Sequence, residues 1–277
     1  AYLRLPGSAR AAALGNSLPA VSNDIQAAMD NPAGSAMLTE RQFSSGYQFL
    51  SLDRRYHGVS LGFPLPPAAG LAIGWVHAGI DEIQGRDYSN RPTEKYSTSE
   101  DAVTFTFANQ IMSGLSAGVA AKIFYHTLPE ATASGFGMDI GILWQPSEYL
   151  SAAIVAKDIK SQVTWDTREI YELGSQRSDS FPERYLMSLA FHYPDRLLIT
   201  GTFRGSHTIY PTMGAGIEYY LHPLLTLRAG YDTDTPSAGI GTQYTEWRQI
   251  QTRIDYAFMA GPVAGDTRHI FTWIFYF

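Results

Sequence analysis

The chain has no cysteine among its 277 residues, so neither a disulfide framework nor thiolate chemistry enters its reading. Charge is scarce: 17% of residues are charged, against roughly 25% in ordinary soluble domains. Positive charge is scarcer still, with 20 Lys and Arg facing 26 Asp and Glu. The net charge of −6 offers no basic surface for nucleic acid. No stretch approaches the ~18 consecutive apolar residues that a membrane-spanning helix needs, and the mean hydropathy is −0.13. The chain opens without a basic n-region or an apolar h-region, as expected of a mature form whose secretory signal has been removed. It has no nucleophile-elbow motif and no Gly-rich phosphate loop. The seven histidines, at 57, 77, 126, 192, 207, 222 and 269, show no metal-ligand spacing on a shared element. Neither an enzyme nor a metal or cofactor site is expected. His126 or His192 beside a Ser would be a satisfied lumen pair.

What the chain has in quantity is aromatics, at 13% with 17 Tyr, and 25 Gly. Few charges, many aromatics and no apolar helix describe a transmembrane β-barrel. The last eleven residues show the pattern most plainly. Phe271, Trp273, Phe275 and Phe277 fall on one face of a strand, with Arg268, Ile270, Thr272, Ile274 and Tyr276 on the other. A soluble protein gains nothing from such a bare aromatic stripe, which invites aggregation, but a strand facing lipid does. The stripe ending at Phe277 also resembles the closing strand and assembly signal of bacterial outer-membrane barrels.

The same alternation recurs after about residue 40. Val103, Phe105 and Phe107 alternate with Thr104, Thr106 and Ala108, and Phe136, Met138, Ile140 and Ile142 with Gly137, Asp139 and Gly141. About fourteen strands are expected, near 42–50, 54–63, 69–78, 99–109, 114–127, 134–145, 149–160, 184–193, 196–204, 210–221, 224–232, 237–244, 249–259 and 267–277. The division is a plug segment at 1–40 and an all-β, antiparallel barrel at 41–277. The connectors alternate in kind. Short ones, often with Pro, lie at 64–67, 109–114, 145–146, 193–196, 222–223 and 244–248, and long polar ones at 81–98, 160–183 and 261–267. Barrels of this class have short periplasmic turns and longer extracellular loops. A periplasmic N-terminus would put the whole short set on the periplasmic side.

Residues 1–40 lack strand alternation and are too apolar for a free tail. Ala9–Leu14 is Ala-rich, Asp24–Met29 suits a helical turn, and Asn31, Pro32, Ala33 and Gly34 form a turn. This segment is expected inside or beneath the barrel. The inward faces carry Lys122, Asp139, Lys157, Arg204, Glu218, Arg228, Arg253, Asp255 and Arg268, a lumen charge network of both signs. Arg4 and Arg10 of the plug are expected to pair with Asp139, Glu218 or Asp255, because buried charges require partners. Ile140 and Ile254 should face lipid, while the lumen sites Gly141 and Asp255 should tolerate polar substitutions far better. Tyr47, Trp75, Tyr125, Trp144, Tyr185, Tyr193 and Trp273, at strand ends, read as the interfacial girdle.

Leu3-Arg4, the stretch from Gly7 through Arg10 to Gly15, then Ala20, Asp24 and Asn31-Pro-Ala-Gly34, resembles the N-terminal region of PorV/PorQ-type outer-membrane proteins. The segment Tyr193–Gly201 is similar to that family too. These proteins belong to a wider FadL-like superfamily of fourteen-stranded barrels. The resemblance implies an accessory barrel of type IX secretion that carries or anchors exported proteins, with protein partners in the envelope. The alternatives are a FadL-like channel for hydrophobic small molecules and a structural barrel of a larger complex. A channel should show an apolar pocket where plug meets barrel, or a side opening at a kinked strand. A docking barrel should show ordered extracellular loops. Outer-membrane lipids and the barrel-assembly machinery are expected partners in every case.

Overall fold

In a computed structural model the described residues are 2–22, 24–167, 174–194, 196–208, 210–245, 250–261 and 267–277. The strands are β1 (Gln42–Phe49), β2 (Arg54–Leu65), β3 (Ala69–Arg86), β4 (Pro92–Met112), β5 (Leu115–Leu128), β6 (Ala131–Ser147), β7 (Leu150–Asp166) and β8 (Gln176–Ser180). They continue as β9 (Arg184–Tyr193), β10 (Leu197–Gly205), β11 (Thr212–His222), β12 (Leu225–Asp232), β13 (Thr235–Thr245), β14 (Gln251–Ala260) and β15 (Thr267–Tyr276). Each pairs antiparallel with its neighbours, and β1 meets β15 with Tyr47 opposite Phe271. β7 pairs with both β6 and β9, so fourteen strands close a barrel, and β8 lies outside the ring as a partner of β7 alone.

The period-two pattern sets which face meets what. Trp75, Phe105, Ile140, Met187, Ile217 and Ile254 are exposed on the outer wall, while their chain neighbours Gly74, Thr106, Gly141, Ser188, Glu218 and Asp255 turn inward. That outer face is an apolar belt of the kind lipid requires.

Two expected connectors are strands. Residues 81–98 form a ribbon: β3 and β4 run for 18 and 21 residues. Beyond Ile80 and Thr98 they pair only with each other, because β2 stops opposite Ile80 and β5 opposite Ser99. The ribbon is polar on both faces, so no alternation marked it. Within 160–183, β7 continues to Asp166 and β8 pairs along it; residues 168–173 lie outside the described residues. So do 195, 246–249 and 262–266, which fall in the expected connectors 193–196, 244–248 and 261–267 and at the start of the expected strand 249–259.

β7 is kinked. Asp158 (φ 61°) and Lys160 (φ 48°) adopt left-handed backbone, and the register against β6 shifts at Phe136/Met138 and Met138/Ile140. Phe181 and Glu183, between β8 and β9, brace the kink. The Phe181 N–H donates to the Ser161 carbonyl at 2.8 Å, and Glu183 accepts the Lys160 N–H at 3.2 Å. Glu183 also accepts the Tyr185 hydroxyl at 2.9 Å. The Lys160 N–H, then the hydroxyl, hold its carboxyl below the usual range.

The N-terminal segment lies inside the barrel. After a helical turn at Tyr2–Arg4 come α1 (Ala9–Ala13), α2 (Ile25–Asp30) and a 3-10 helix at Pro32–Met37. Local capping explains each start. Ser8 accepts the Ala11 N–H at 3.0 Å, Asp24 that of Ala27 at 2.9 Å, and Asn31 that of Ala33 at 3.1 Å. The segment climbs the lumen from the short-turn end. Leu38 packs beside Gly62, whereas Tyr2 reaches His126 near the far end of β5. The start of β1 lies at the short-turn end as expected, but Tyr2 lies at the opposite one.

Candidate functional site

Six buried charges close a ring between the segment and the wall. Arg10 on α1 contacts Asp24 at 2.7 Å and Glu218 of β11 at 2.7 Å. Glu218 meets Arg228 of β12 at 2.5 Å, and Arg228 meets Asp255 of β14 at 2.6 Å. Asp255 meets Arg253 at 2.9 Å, and Arg253 returns to Asp24 at 2.7 Å. Three guanidiniums and three carboxylates alternate, so each buried charge has two opposite neighbours. The Tyr220 hydroxyl adds a bond to Glu218 at 2.5 Å.

A second cluster sits under β5–β9. Lys122 lies 2.7 Å from Asp139 and 2.8 Å from Asp158, and Asp158 also takes Arg184 at 2.7 Å. Lys157 reaches Asp30 of α2 at 3.3 Å. A third group joins Arg204 to Asp232, with Asn16 on the same carboxylate at 2.8 Å. Apart from Arg268, the expected lumen residues therefore occupy three groups rather than one. Arg4 departs from expectation. It is exposed on the helical turn and has no acidic partner among the described residues, because the turn lifts it above the rings into an open cavity.

Asp24, Asp30, Asp158, Arg184 and Asp232 escaped the sequence reading. Asp158 follows the inward Lys157 and should point outward by alternation; its left-handed backbone turns it in as well. Asp24 read only as the start of a helical turn; one oxygen caps α2 and the other carries the ring.

Glycines on the inner wall seat the segment. A methyl on Gly70 would collide with the Ser35 backbone, one on Gly118 with Pro32 and Ala33, and one on Gly141 with Asn31. Across the lumen, Gly214 and Gly230 receive Gly15, and Gly216 receives Leu14. Gly15 itself needs φ +62° and has no room for a side chain. The expectation that Gly141 and Asp255 tolerate polar groups is therefore overturned, since one is a seat and the other a ring member.

Two cavities flank the helical turn at the long-connector end. The first, about 290 Å³, is mainly apolar, lined by Tyr2, Leu5, Leu50, Ile80, Leu128 and Trp165 together with Arg54, Arg55, Glu100 and His126. The second, about 330 Å³, is mixed: Arg4, Asp30, Lys157, Arg184, Arg204 and Asp232 line it together with Leu3, Leu5 and Leu186. His126 contacts the Tyr2 hydroxyl at 3.2 Å. His192 Nε2 lies 3.0 Å from Ser151 Oγ, but that hydroxyl is fully buried and donates to the Ala20 carbonyl at 2.6 Å. The pair secures the segment and presents no accessible nucleophile. Among the described residues no three His, Asp or Glu side chains gather as a metal site.

No family model matches the sequence, and no curated protein matches it either. Solved structures do match in shape. The toluene transporter TodX of Pseudomonas putida superposes with a TM-score of 0.68 at 12% identity, covering 98% of this chain and 97% of that one. The chain shares the barrel fold of that transporter. A FadL homologue of Pseudomonas aeruginosa agrees, with a TM-score of 0.62, 11% identity and 98% coverage of both chains. The CymD monoaromatic hydrocarbon channel also gives a TM-score of 0.62 at 11% identity, over 97% of this chain and 96% of that one. At such identities the FadL-like likeness is one of fold.

Proposed function

We propose that this chain is an outer-membrane channel for hydrophobic small molecules, held closed by its N-terminal segment. The observation that carries this reading is the apolar cavity between Tyr2, Leu5 and the wall at the long-connector end. A docking barrel has no use for a mainly apolar hollow between its N-terminal segment and its wall, whereas a channel needs a first site that strips water from its cargo. The structural neighbours named for toluene and monoaromatic hydrocarbons support the same direction. The apolar belt takes outer-membrane lipid as its partner, and the β15 aromatics serve the assembly machinery. The test is uptake of labelled toluene by cells expressing the chain, against Ile80→Trp, which fills the cavity. Uptake should fall to the level of cells lacking the protein while folded yield holds. Unchanged uptake would reject the reading.

One observation favours the PorV/PorQ-like alternative. The β3–β4 ribbon stands beyond the barrel with both edges unpaired, a surface on which an extended segment of a secreted protein could add a strand. Under that reading, removing the ribbon tip would abolish partner capture, and cells expressing the intact chain would take up no more toluene than cells lacking it.

A further inference from the structure

Below the apolar cavity, along β1–β3, the wall carries Ser44, Gly46, Gly58, Ser60 and Gly74, and the segment opposite carries Gly7, Gln26 and Met29. The space between is about 110 Å³. Gly46 and Gly58 are not seats: a methyl on Gly58 would come no nearer than 3.9 Å to Gly7, and one on Gly46 no nearer than 3.5 Å to its neighbours. Here small residues leave room instead of admitting the segment. Met29, unbranched and adaptable, reaches across to Gly74, and Gln26 to Ser44.

Gln26 is 6% exposed and lines this space. Its amide nitrogen donates to Ser44 Oγ at 3.1 Å, and its Oε1 has no partner. Exchanging the two ends of the amide would let Ser44 donate to Oε1 and leave the nitrogen unmatched instead. Either way one buried polar atom is unsatisfied, which is unfavourable until something supplies a partner. A hydroxyl is both donor and acceptor, so it suits either orientation. The charged groups bordering the space are already paired: Lys122 with Asp139, Lys157 with Asp30, and Arg184 with Asp158. They call for no ion. Leu5, Tyr56 and Val76 supply apolar lining.

We infer that this cavity is a binding site for a small neutral molecule with an apolar body and one hydroxyl, a phenol or short alcohol, and that Gln26 reads the hydroxyl. The site deepens the channel reading and rests on it for its route of entry. An apolar cavity of about 150 Å³ accommodates benzene, so a single ring enters once Met29 swings aside.

The experiment titrates the folded full-length chain with p-cresol and with toluene by calorimetry, and repeats both with Gln26→Leu and Gly58→Leu. Cresol should bind about tenfold more tightly than toluene, the worth of one good hydrogen bond. Gln26→Leu should erase that preference and spare toluene. Gly58→Leu, which fills the space, should abolish both while the barrel keeps its heat-modifiable gel mobility. Absence of cresol binding, no preference over toluene, or an equal loss of both ligands in Gln26→Leu overturns the site. Vesicle uptake separates the two ideas. Cresol bound but never passed inward defeats the channel and leaves the site; toluene passed without any cresol preference defeats the site and leaves the channel.

Discussion

Ile140 and Gly141 are neighbours on β6 and face opposite ways. Ile140 is exposed on the lipid side, so Ile140→Arg should cost roughly 2–4 kcal/mol near mid-membrane. Gly141→Ser should also be damaging, because its side chain would enter the space of Asn31. Gly58→Ser enters open space and should be nearly silent. Folded fraction, read by heat-modifiable gel mobility across a urea series, checks all three; a silent Gly141→Ser would remove the seat interpretation. The facing of Ile140 was legible in sequence, because a strand repeats every two residues. The seat was not. An inward glycine looks the same whether it borders a void, as Gly58 does, or a packed backbone, as Gly141 does. Most of the ring was legible: the five charges Arg10, Glu218, Arg228, Arg253 and Asp255 read as inward or as plug cations needing acids, but Asp24 read only as the start of a helical turn.

Among the elements, β15 was the most readable and β7 the least. Along β15 and just past it every second residue from Phe271 to Phe277 is aromatic, and the structure pairs the strand with both β14 and β1. Beyond it the Phe277 N–H donates to the Arg41 carbonyl at 2.9 Å, while the ring is exposed. One backbone bond and an exposed ring add little to the finished barrel. Deleting Phe277 should therefore lower membrane-inserted yield in cells far more than refolded yield in detergent. Equal yields in cells would show that the terminal aromatic is not read during assembly. In β7 the left-handed residues Asp158 and Lys160 are not of a type that announces a bulge, so alternation failed to place Asp158. The β3–β4 ribbon was hidden for another reason. In water neither face needs to be apolar, and without that need the period vanishes.

At the scale of the molecule, the N-terminal segment spans the lumen from the seats on β3, β5 and β6 to those on β11 and β12. Fourteen strands enclose a bore wide enough to conduct unless it is filled. The intact chain should show little ion conductance in planar bilayers, and the chain lacking residues 1–38 a marked rise. Porin-like currents from the intact chain would contradict a closing role. The ring also dictates a schedule for synthesis. Arg10 emerges first, yet its partner Glu218 lies 208 positions later and Arg253 joins Asp24 across 229. Contacts so distant along the chain form late and slowly. Until then an apolar, arginine-bearing stretch must wait unpaired through almost the whole of synthesis, exposed to aggregation. Seating the early segment and closing β1 on β15 are coupled events, because the ring that holds the segment draws its wall charges from β11, β12 and β14, which are made near the end of the chain.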